Sequence, residues 1–333
     1  MNLYTDQGYL DMGAVISAPY PFIFVIGARG CGKTYGSLKY VLEHDVKFMY
    51  MRRTKTILDV ITDKRFSPFK KINEDMHRDI EPEVSKGYGI YKDMDSQEVK
   101  GYAAALSTIA NLRGFDGSDI DLLIYDEFIP ETTEIVRFNE FNAFTNAYET
   151  INRNRELEGR PPLKAVLLSN SDLLYSTIVS GFKLSDELVE MQEEGLEWVE
   201  HSPEILLIRP DSIKFKQQKQ QTALYKATQG TEFEAMALNN LFTVQDRDRI
   251  KYRPLKEFNV VCCYNGMYIY KHKTDGTYYV CRRGSGTPKV YRNTDADNRR
   301  FKREQMMIWK AFMRKKVYFE TVDVQTDFLE VYK

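Results

Sequence analysis

A glycine-rich octapeptide near the start of the chain has the residue types and spacing of a phosphate-binding loop. It runs from Gly27 to Thr34 and reads Gly-Ala-Arg-Gly-Cys-Gly-Lys-Thr. The glycines let consecutive backbone N–H groups turn inward around phosphates, the lysine reaches the β- and γ-phosphates, and the threonine ligates Mg²⁺. The pattern therefore predicts a site for ATP and Mg²⁺. Its predicted members are Gly27, Ala28, Arg29, Gly30, Cys31, Gly32, Lys33 and Thr34.

An acidic pair, Asp126-Glu127, follows an apolar run that ends at Tyr125. Asp126 is suited to hold Mg²⁺ through water beside Thr34, and Glu127 is suited to polarise the attacking water as a general base. Alone, such a pair usually marks only a turn, but together with the octapeptide it favours a hydrolytic site. A glutamate directly after this aspartate is typical of the additional-strand class of P-loop ATPases, which includes translocases and helicases. Asn170 ends a further apolar run and is a candidate γ-phosphate sensor; the alternative is a simple turn.

Two arginines are candidates for completing the site of a neighbouring subunit. Arg153 follows a helical stretch with an aromatic stripe and lies about 200° around the helix from Ile151, so it projects away from the packed face. An outward arginine could act as an arginine finger, whereas the alternative is a solvated charge cluster. Arg155 is four residues after Ile151 and is expected on the packed face. Arg113, a short segment before the acidic pair, is the second candidate.

Four short apolar runs must position these residues. They occupy 22–26, 46–51, 120–125 and 163–168, and each ends in polar residues. Near-continuous apolar runs separated by helical stretches predict a parallel sheet covered on both faces, with ligands bound at its carboxyl edge. Helices are expected over 35–42, along the aromatic stripe of 138–151, and over the acidic segment 187–200. Arg52, Arg53 and Lys55, at the end of the second run, could meet phosphate of ATP or DNA.

The composition is that of an ordinary soluble protein: 333 residues, 43% hydrophobic, with a formal net charge of −1. The four cysteines form no CxxC pair, which argues against a zinc site or a disulfide framework. The N-terminus lacks the pattern of a signal peptide, and no apolar run is long enough to span a bilayer. We therefore expect a cytoplasmic protein with no membrane partner.

The amino-acid composition of the chain changes after residue 203. Asn265-Gly266 and Asp275-Gly276 separate short apolar runs and predict hairpins. We expect a P-loop ATPase domain over 1–203, a connector over 204–245 and a smaller α+β domain over 246–333 that docks nucleic acid or a portal. Within it, residues 281–316 contain twelve Lys and Arg but three acids, a pattern suited to binding a phosphate backbone; the alternative is an ordinary basic surface.

Several segments together resemble the genome-packaging ATPases (encapsidation proteins) of φ29-type podoviruses. The resemblance is densest over the first 170 residues. It is carried by Val25–Thr34, Met51–Lys55, Tyr125–Ile129, Arg153–Glu156, Leu168–Asn170, Gly230–Glu232 and Tyr264–Gly266.

This resemblance implies an additional-strand P-loop ATPase that drives double-stranded DNA into a procapsid as a homo-oligomeric ring of five on the portal. It implies host cytoplasm as the location, transient residence on the portal vertex, absence from the mature virion and, in some members, a structural prohead RNA as partner. Arg153 falls on the family's trans-acting arginine. Arg113 falls near a basic position where a lysine is usual, which departs from the pattern.

The C-terminal domain of larger packaging motors is an RNase H-like nuclease, which needs several carboxylates on strands to hold two metals. The runs 258–264 and 277–281 contain no acid. We therefore expect a C-terminal domain that resembles an RNase H-like fold without nuclease activity. Two alternatives stay open for the whole chain: a DNA translocase or helicase that works without a capsid, and a slow ATP-gated binding protein.

Overall fold

The computed structural model describes residues 1–85, 87–112, 116–130, 139–170, 176–231, 234 and 249–332. The chain divides into two compact units, residues 1–178 with 187–243 and residues 179–186 with 244–333. Arg113 and residues 131–138 lie outside the described part, and so does Glu232, which belongs to the resemblance.

A nine-stranded sheet forms the centre of the first unit. Its strands are β1 (Phe22–Ile26), β2 (Phe48–Arg52), β3 (Ile80–Val84), β4 (Gly89–Asp93), β5 (Val99–Ala105), β6 (Leu122–Asp126), β7 (Lys164–Ser169), β8 (Trp198–Ser202) and β9 (Ile205–Ile208). Their order across the sheet is β3-β4-β5-β2-β6-β7-β1-β9-β8. Six neighbouring strands run parallel to one another: β5, β2, β6, β7, β1 and β9. At the two edges of the sheet the pairing is antiparallel, with β3 and β4 at one edge and β8 at the other.

The described helices of this part of the chain are α1 (Met12–Ile16), α2 (Lys33–Glu43), α3 (Lys55–Ile61), α4 (Lys70–Met76), α5 (Glu140–Asn152), α6 (Thr177–Gly181), α7 (Ser185–Glu194), α8 (Ile213–Gln220) and α9 (Ala223–Ala227). Short 3-10 turns cover Lys64–Phe66 and Leu106–Leu112. The division between the two units falls within α6 and between the second and third residues of α7.

Strand β7 stands between β1, which leads into the glycine-rich loop, and β6, which ends at Asp126. Both pairings are parallel, with Phe24 opposite Leu167 and Ile124 opposite Val166. The central strands are almost completely buried because helices cover both faces, as the continuous apolar runs predicted. The predicted α/β class, a parallel sheet with one strand inserted beside the P-loop strand, is confirmed.

The structure differs from two sequence-based expectations in this unit. The helix expected over 187–200 ends at Glu194, and Trp198 begins the edge strand β8. The expected connector, 204–245, begins with strand β9, which hydrogen-bonds to β1 inside the large sheet. Residues up to 243 group with the first unit, so the boundary predicted at residue 203 is corrected. Apolar burial explains this, because all four β9 residues are buried against the core.

Over its described residues 249–332, the second unit contains a five-stranded sheet and three helices. The strands are β10 (Phe258–Tyr264), β11 (Met267–His272), β12 (Tyr278–Cys281), β13 (Lys289–Tyr291) and β14 (Val317–Phe319), in the order β13-β10-β11-β12-β14. The helices are α10 (Asp295–Glu304), α11 (Met306–Met313) and α12 (Val322–Tyr332), and a 3-10 turn covers Leu255–Glu257.

Both predicted hairpins are present in this sheet. β10 pairs antiparallel with β11 and β11 with β12. Asn265 and Gly266 both have positive φ angles, +44° and +79°, as a two-residue hairpin turn requires. Helices α10 to α12 cover one face, where Phe301, Ile308 and Phe328 are buried with the strands. Among the described helices, none is both long and apolar enough to cross a membrane.

Candidate functional site

The glycine-rich loop connects the end of β1 to the start of α2. Gly30 and Gly32 have φ angles of +80° and +101°, a region that side chains with a Cβ rarely adopt. Gly27 is needed for a different reason: a Cβ there would lie 2.5 Å from Cγ of Pro210, which follows β9. The loop therefore requires glycine at Gly30 and Gly32 for backbone conformation and at Gly27 for the close approach of Pro210.

Lys33, the first residue of α2, points its ammonium group back into the loop. Its Nζ donates to the carbonyl oxygens of Gly27 and Ala28, both at 2.8 Å, and to Oδ1 of Asn170 at 3.3 Å. The residue is only 7% exposed. Asn170 follows β7, so the strand between the loop and the acidic pair delivers the polar amide to the lysine. The structure thus brings together the predicted phosphate lysine and the predicted sensor.

Thr34 and Asp126 meet at the floor of the site. The hydroxyl of Thr34 donates to Oδ2 of Asp126 at 2.9 Å, and the hydroxyl of Tyr50 donates to the same oxygen at 2.7 Å. Burial, together with the charge of Asp126, raises the pKa of Tyr50 well above its ordinary value. Tyr50 therefore stays a neutral hydrogen-bond donor that fixes the carboxylate.

Glu127 follows the strand in an unusual backbone conformation, with φ at +55°. Its N–H donates to Oδ1 of Asp126 at 3.0 Å, and its half-exposed carboxylate forms an ion pair with Nη2 of Arg52. A left-handed conformation in a glutamate costs on the order of 1 kcal/mol or more and persists only where the surroundings enforce it. The backbone here turns the side chain out of the strand and into the cleft.

Arg52 lies between both carboxylates at the end of β2. Nη1 is 3.2 Å from the hydroxyl of Tyr50 and 3.5 Å from Oδ2 of Asp126. Burial alone would lower the pKa of Arg52, but Tyr50, Asp126 and Glu127 favour the charged guanidinium and raise it. The sequence suggested phosphate as the partner of Arg52. The contact with Glu127 was missed because it depends on the pairing of β2 with β6, which no local pattern reveals.

Lys33, Thr34, Asp126, Glu127 and Asn170 line a cleft of about 420 Å³. Its described lining residues are Arg29, Gly30, Gly32, Lys33, Thr34, Tyr35, Asp126, Glu127, Ser169 and Asn170. The predicted loop, acidic pair and sensor thus converge at the carboxyl edge of the sheet.

The oxygens present fit a magnesium nucleotide. Mg²⁺ in such sites takes one or two protein oxygens and completes its shell with phosphates and water. The adjacent oxygens of Thr34 and Asp126 match this requirement. No group of three or more His, Cys, Asp or Glu among the described residues could hold a metal.

Arg153 lies outside the cleft, as predicted for a residue that serves a neighbour. It follows the last residue of α5 with φ at +48°, is 47% exposed, and has Nη1 3.4 Å from Oδ1 of Asp116. Arg155 is buried and bonds to Ile120 and Asp121. A role in a neighbouring subunit's site requires such a position on the surface.

The basic segment of the second unit is largely exposed. Arg300 of α10 and Lys289 of β13 pair with Glu304, whereas Arg299, Lys302 and Arg303 extend from the surface of α10. Tyr291 and Phe301, the aromatic residues nearest to these cations in the chain, are buried in the core. The exposed charge of this segment fits a phosphate backbone.

Comparison with known proteins gives one consistent result. A family model described as "Podovirus DNA encapsidation protein (Gp16)" matches residues 8–318. The DNA packaging protein of Bacillus phage PZA is 28% identical over 88% of this chain and 83% of its own length. That of Bacillus phage phi29 is 27% identical with the same coverage. A chain of the bacteriophage phi29 genome packaging motor assembly superposes with a TM-score of 0.67, at 20% identity, over 99% of both chains, which shows a shared fold.

Proposed function

The chain belongs to the podovirus DNA encapsidation protein family, and we propose that it is the ATP-hydrolysing motor that drives double-stranded DNA into a procapsid. The observation that supports this most strongly is the contact of Thr34 with Asp126, beside Lys33 and Glu127, in one cleft. The curated relatives are DNA packaging proteins, and the similar fold is found in a packaging motor assembly.

Each group of residues in the cleft has a separate role in ATP hydrolysis. Backbone N–H groups of the loop and the ammonium of Lys33 bind the phosphates. Thr34 and Asp126 would hold Mg²⁺, which would neutralise charge on the phosphates. Glu127 accepts a proton from the attacking water. Asn170, already within reach of Lys33, holds the water or the γ-phosphate.

Arg52 controls the availability of Glu127. A carboxylate paired with a guanidinium is a weaker base than a free one, because the neighbouring positive charge favours its ionised form. Glu127 acts on water only when this ion pair loosens, so a movement of the end of β2 can gate hydrolysis.

The family membership and the exposed Arg153 support a ring in which each subunit completes the site of the next. We propose five subunits on the portal vertex, with ATP between neighbours, Arg153 acting in trans, and Arg113 as a weaker candidate outside the described residues. The protein is expected in the host cytoplasm, transiently on the procapsid, and absent from the mature virion. A structural prohead RNA is a possible further partner, and nuclease activity is not expected.

DNA-stimulated ATP hydrolysis tests this function and separates it from its rivals. Hydrolysis by the wild-type protein is expected to rise with double-stranded DNA and with procapsids together, and Lys33→Ala is expected to remove it. Equal stimulation by DNA with and without procapsids would favour a translocase or helicase that needs no capsid. A slow rate of hydrolysis that is the same with and without DNA would favour an ATP-gated binding protein and contradict the motor.

A further inference from the structure

The segment that follows α5, residues 153–160, carries the most exposed large apolar side chain among the described residues. Leu157 is 87% exposed, whereas Leu163, six residues later, is completely buried. Single exposed apolar residues are ordinary on protein surfaces, so exposure alone carries no conclusion. What distinguishes Leu157 is its position in the same segment as Arg153, the candidate trans-acting arginine, four residues before it.

Backbone hydrogen bonds hold this segment in one conformation. The N–H of Glu158 donates to the carbonyl oxygen of Asn154 at 3.0 Å, and the N–H of Arg160 donates to that of Arg155 at 2.8 Å. Leu157 lies inside both turns, so its side chain extends from a backbone that is already fixed. A segment that is ordered before it docks loses little conformational entropy on docking.

Two side chains fasten the same segment to the body of the first unit. The buried guanidinium of Arg155 donates to the carbonyl oxygen of Ile120 and to the carboxylate of Asp121. Arg160 donates to the carbonyl oxygen of Ser118 at 2.9 Å. These partners directly precede β6, the strand that ends in the acidic pair, so the segment is supported by the sheet of its own subunit.

The exposed face of the segment combines a cation, an apolar side chain and two acids. Arg153 is 47% exposed, and Glu156 and Glu158, on either side of Leu157, are exposed as well. Carboxylates beside the leucine disfavour a nucleic acid as the partner, because they repel its phosphates. A protein surface fits this face better, since it can bury the leucine and meet the acids with cations at the rim.

A second copy of this chain offers such a surface beside its phosphate cleft. Arg29 lines that cleft, is exposed, and carries the charge opposite to that of Glu156 and Glu158. If Arg153 of one copy acts in the cleft of the next, the segment that carries it must lie against the rim of that cleft. A contact close to Arg153 then fixes its guanidinium, and misplacement of a reacting group by about 1 Å can cost on the order of 10²-fold in rate.

We propose that Leu157 is an anchor between neighbouring copies of this chain, buried against the rim of the next copy's cleft, and that it thereby positions Arg153 there. Leu157 is a positioning residue, because it acts through Arg153 and contacts no phosphate. The inference rests on the proposed function of Arg153 in trans. It adds a residue that neither the sequence patterns nor the lining of the cleft identifies.

Mixed rings test Leu157 separately in the subunit that supplies Arg153 and in the subunit that receives it. Lys33→Ala subunits are the donors of Arg153, and Arg153→Ala subunits are the acceptors. Leu157→Gln in the donors is expected to lower the hydrolysis restored by mixing about 10- to 100-fold, because the apolar contact is lost and the arginine is misplaced. The same change in the acceptors is expected to alter restored hydrolysis by less than about twofold, since their own segment serves no active cleft.

Two further variants separate the anchor from a general effect of substitution. Leu157→Met in the donors keeps an apolar side chain of similar volume and is expected to restore hydrolysis like the unchanged donors. Leu224→Gln in the donors, at a 56% exposed leucine of α9, is the matched control and is expected to have no effect. The isolated Leu157→Gln chain is expected to bind ATP like the wild type, because Leu157 does not line the cleft.

The outcomes distinguish failure of the anchor from failure of the proposed function. A loss confined to the donors, and absent with Leu157→Met, supports the anchor. Equal losses in donors and acceptors, or weaker ATP binding by the isolated chain, would make Leu157 a residue of general assembly or folding and overturn it. Unchanged hydrolysis in both placements would remove Leu157 from the contact. If donors and acceptors with Leu157 intact restored no hydrolysis, the trans role of Arg153 would fail, and the anchor with it.

Discussion

The two units of the chain handle charge in opposite ways. In the first, Lys33 and Asp126 at the sheet edge are nearly inaccessible, at 7% and 4% exposure, and each is held by several partners. In the second, Arg299, Lys302 and Arg303 project from the surface of α10. A buried charge is tolerated only in a network that satisfies it, whereas surface charges cost little.

We propose that this difference separates a catalytic site in the first unit from a nucleic-acid-binding surface in the second. The buried groups of the first unit depend on one another, so a single substitution is expected to have a large effect that does not add to others. We propose that the surface cations of the second unit attract the phosphates of a nucleic acid at long range, so each is expected to contribute a small and nearly additive part. The predictions below run from the largest effect to the smallest.

Substitution of Arg153 is expected to have the largest effect, provided that the ring has formed. Arg153→Ala should lower hydrolysis by the assembled protein by about 10³- to 10⁵-fold, because the transition state loses its cation from the neighbour. The isolated chain should bind ATP as before. Asp116→Asn is the matched control, since it breaks the ion pair of Arg153 and keeps the arginine.

Mixed rings give the sharper form of this test. Subunits with Lys33→Ala have an intact Arg153 to offer, and subunits with Arg153→Ala have an intact loop. Mixing the two inactive variants is expected to restore part of the hydrolysis. No restoration, together with equal loss in Asp116→Asn, would make Arg153 a structural residue of its own subunit.

Glu127→Gln should lower the rate of hydrolysis by about 10²- to 10⁴-fold, because an amide cannot accept the proton of the attacking water. ATP binding should persist, since the size of the side chain is unchanged. Steady-state kinetics and nucleotide titration measure the two quantities. Retained packaging by Glu127→Gln would contradict the motor, because force generation needs turnover.

The site residues that the sequence predicted belong to short motifs of neighbouring residues. A few consecutive residues are enough to recognise each of three features: the glycine pattern, the apolar run before it and the pair Asp126-Glu127. The contacts of Tyr50 and Arg52 with the acidic pair depend on β2 lying beside β6, which is settled by tertiary pairing. Local sequence patterns therefore predicted the acidic pair and the loop, and missed the side chains that contact the acidic pair.

The edge strands were missed for a related reason. β3 reads Ile-Glu-Pro-Glu-Val and β8 reads Trp-Val-Glu-His-Ser, so neither shows the apolar run of a buried strand. Charges and proline are common on edge strands, where one side has no partner. The acid-rich residues before Trp198 favoured a longer helix, and pairing of β8 with β9 overrode that preference.

Removal of surface cations should weaken nucleic-acid binding without changing hydrolysis in its absence. Replacement of Arg299, Lys302 and Arg303 by glutamine is expected to lower affinity by roughly tenfold or more at moderate salt. The slope of log affinity against log salt should fall by about three, one for each lost phosphate contact. The matched control replaces Lys251, Lys256 and Lys273, which lie outside residues 281–316. Equal losses in both triple variants would mean that α10 has no special role.

The smallest expected effect concerns the stability of the second unit. Burial, with the neighbouring charges of Asp186 and Asp327, raises the pKa of Asp323 to about 6. The folded protein therefore binds a proton between about pH 4 and 6 that the unfolded chain does not, so this group makes folding less favourable as pH rises through that window.

Asp323→Asn removes this titration. It is expected to stabilise the second unit at pH 7 by about 1–2 kcal/mol, a gain that shrinks below pH 5, where Asp323 is protonated in the fold. Urea unfolding at pH 5 and pH 7.5 measures the difference. A gain that is the same at both pH values would show that Asp323 does not titrate in this range.

Protection of DNA from nuclease tests the central claim most directly. Unit-length double-stranded DNA is incubated with matching procapsids, ATP and this protein, treated with DNase, and compared with the same mixture containing Lys33→Ala. The motor predicts protected DNA of full length that requires ATP and disappears with Lys33→Ala. No protected DNA, while DNA still stimulates ATP hydrolysis in the same tube, would contradict packaging and identify a translocase that works without a capsid.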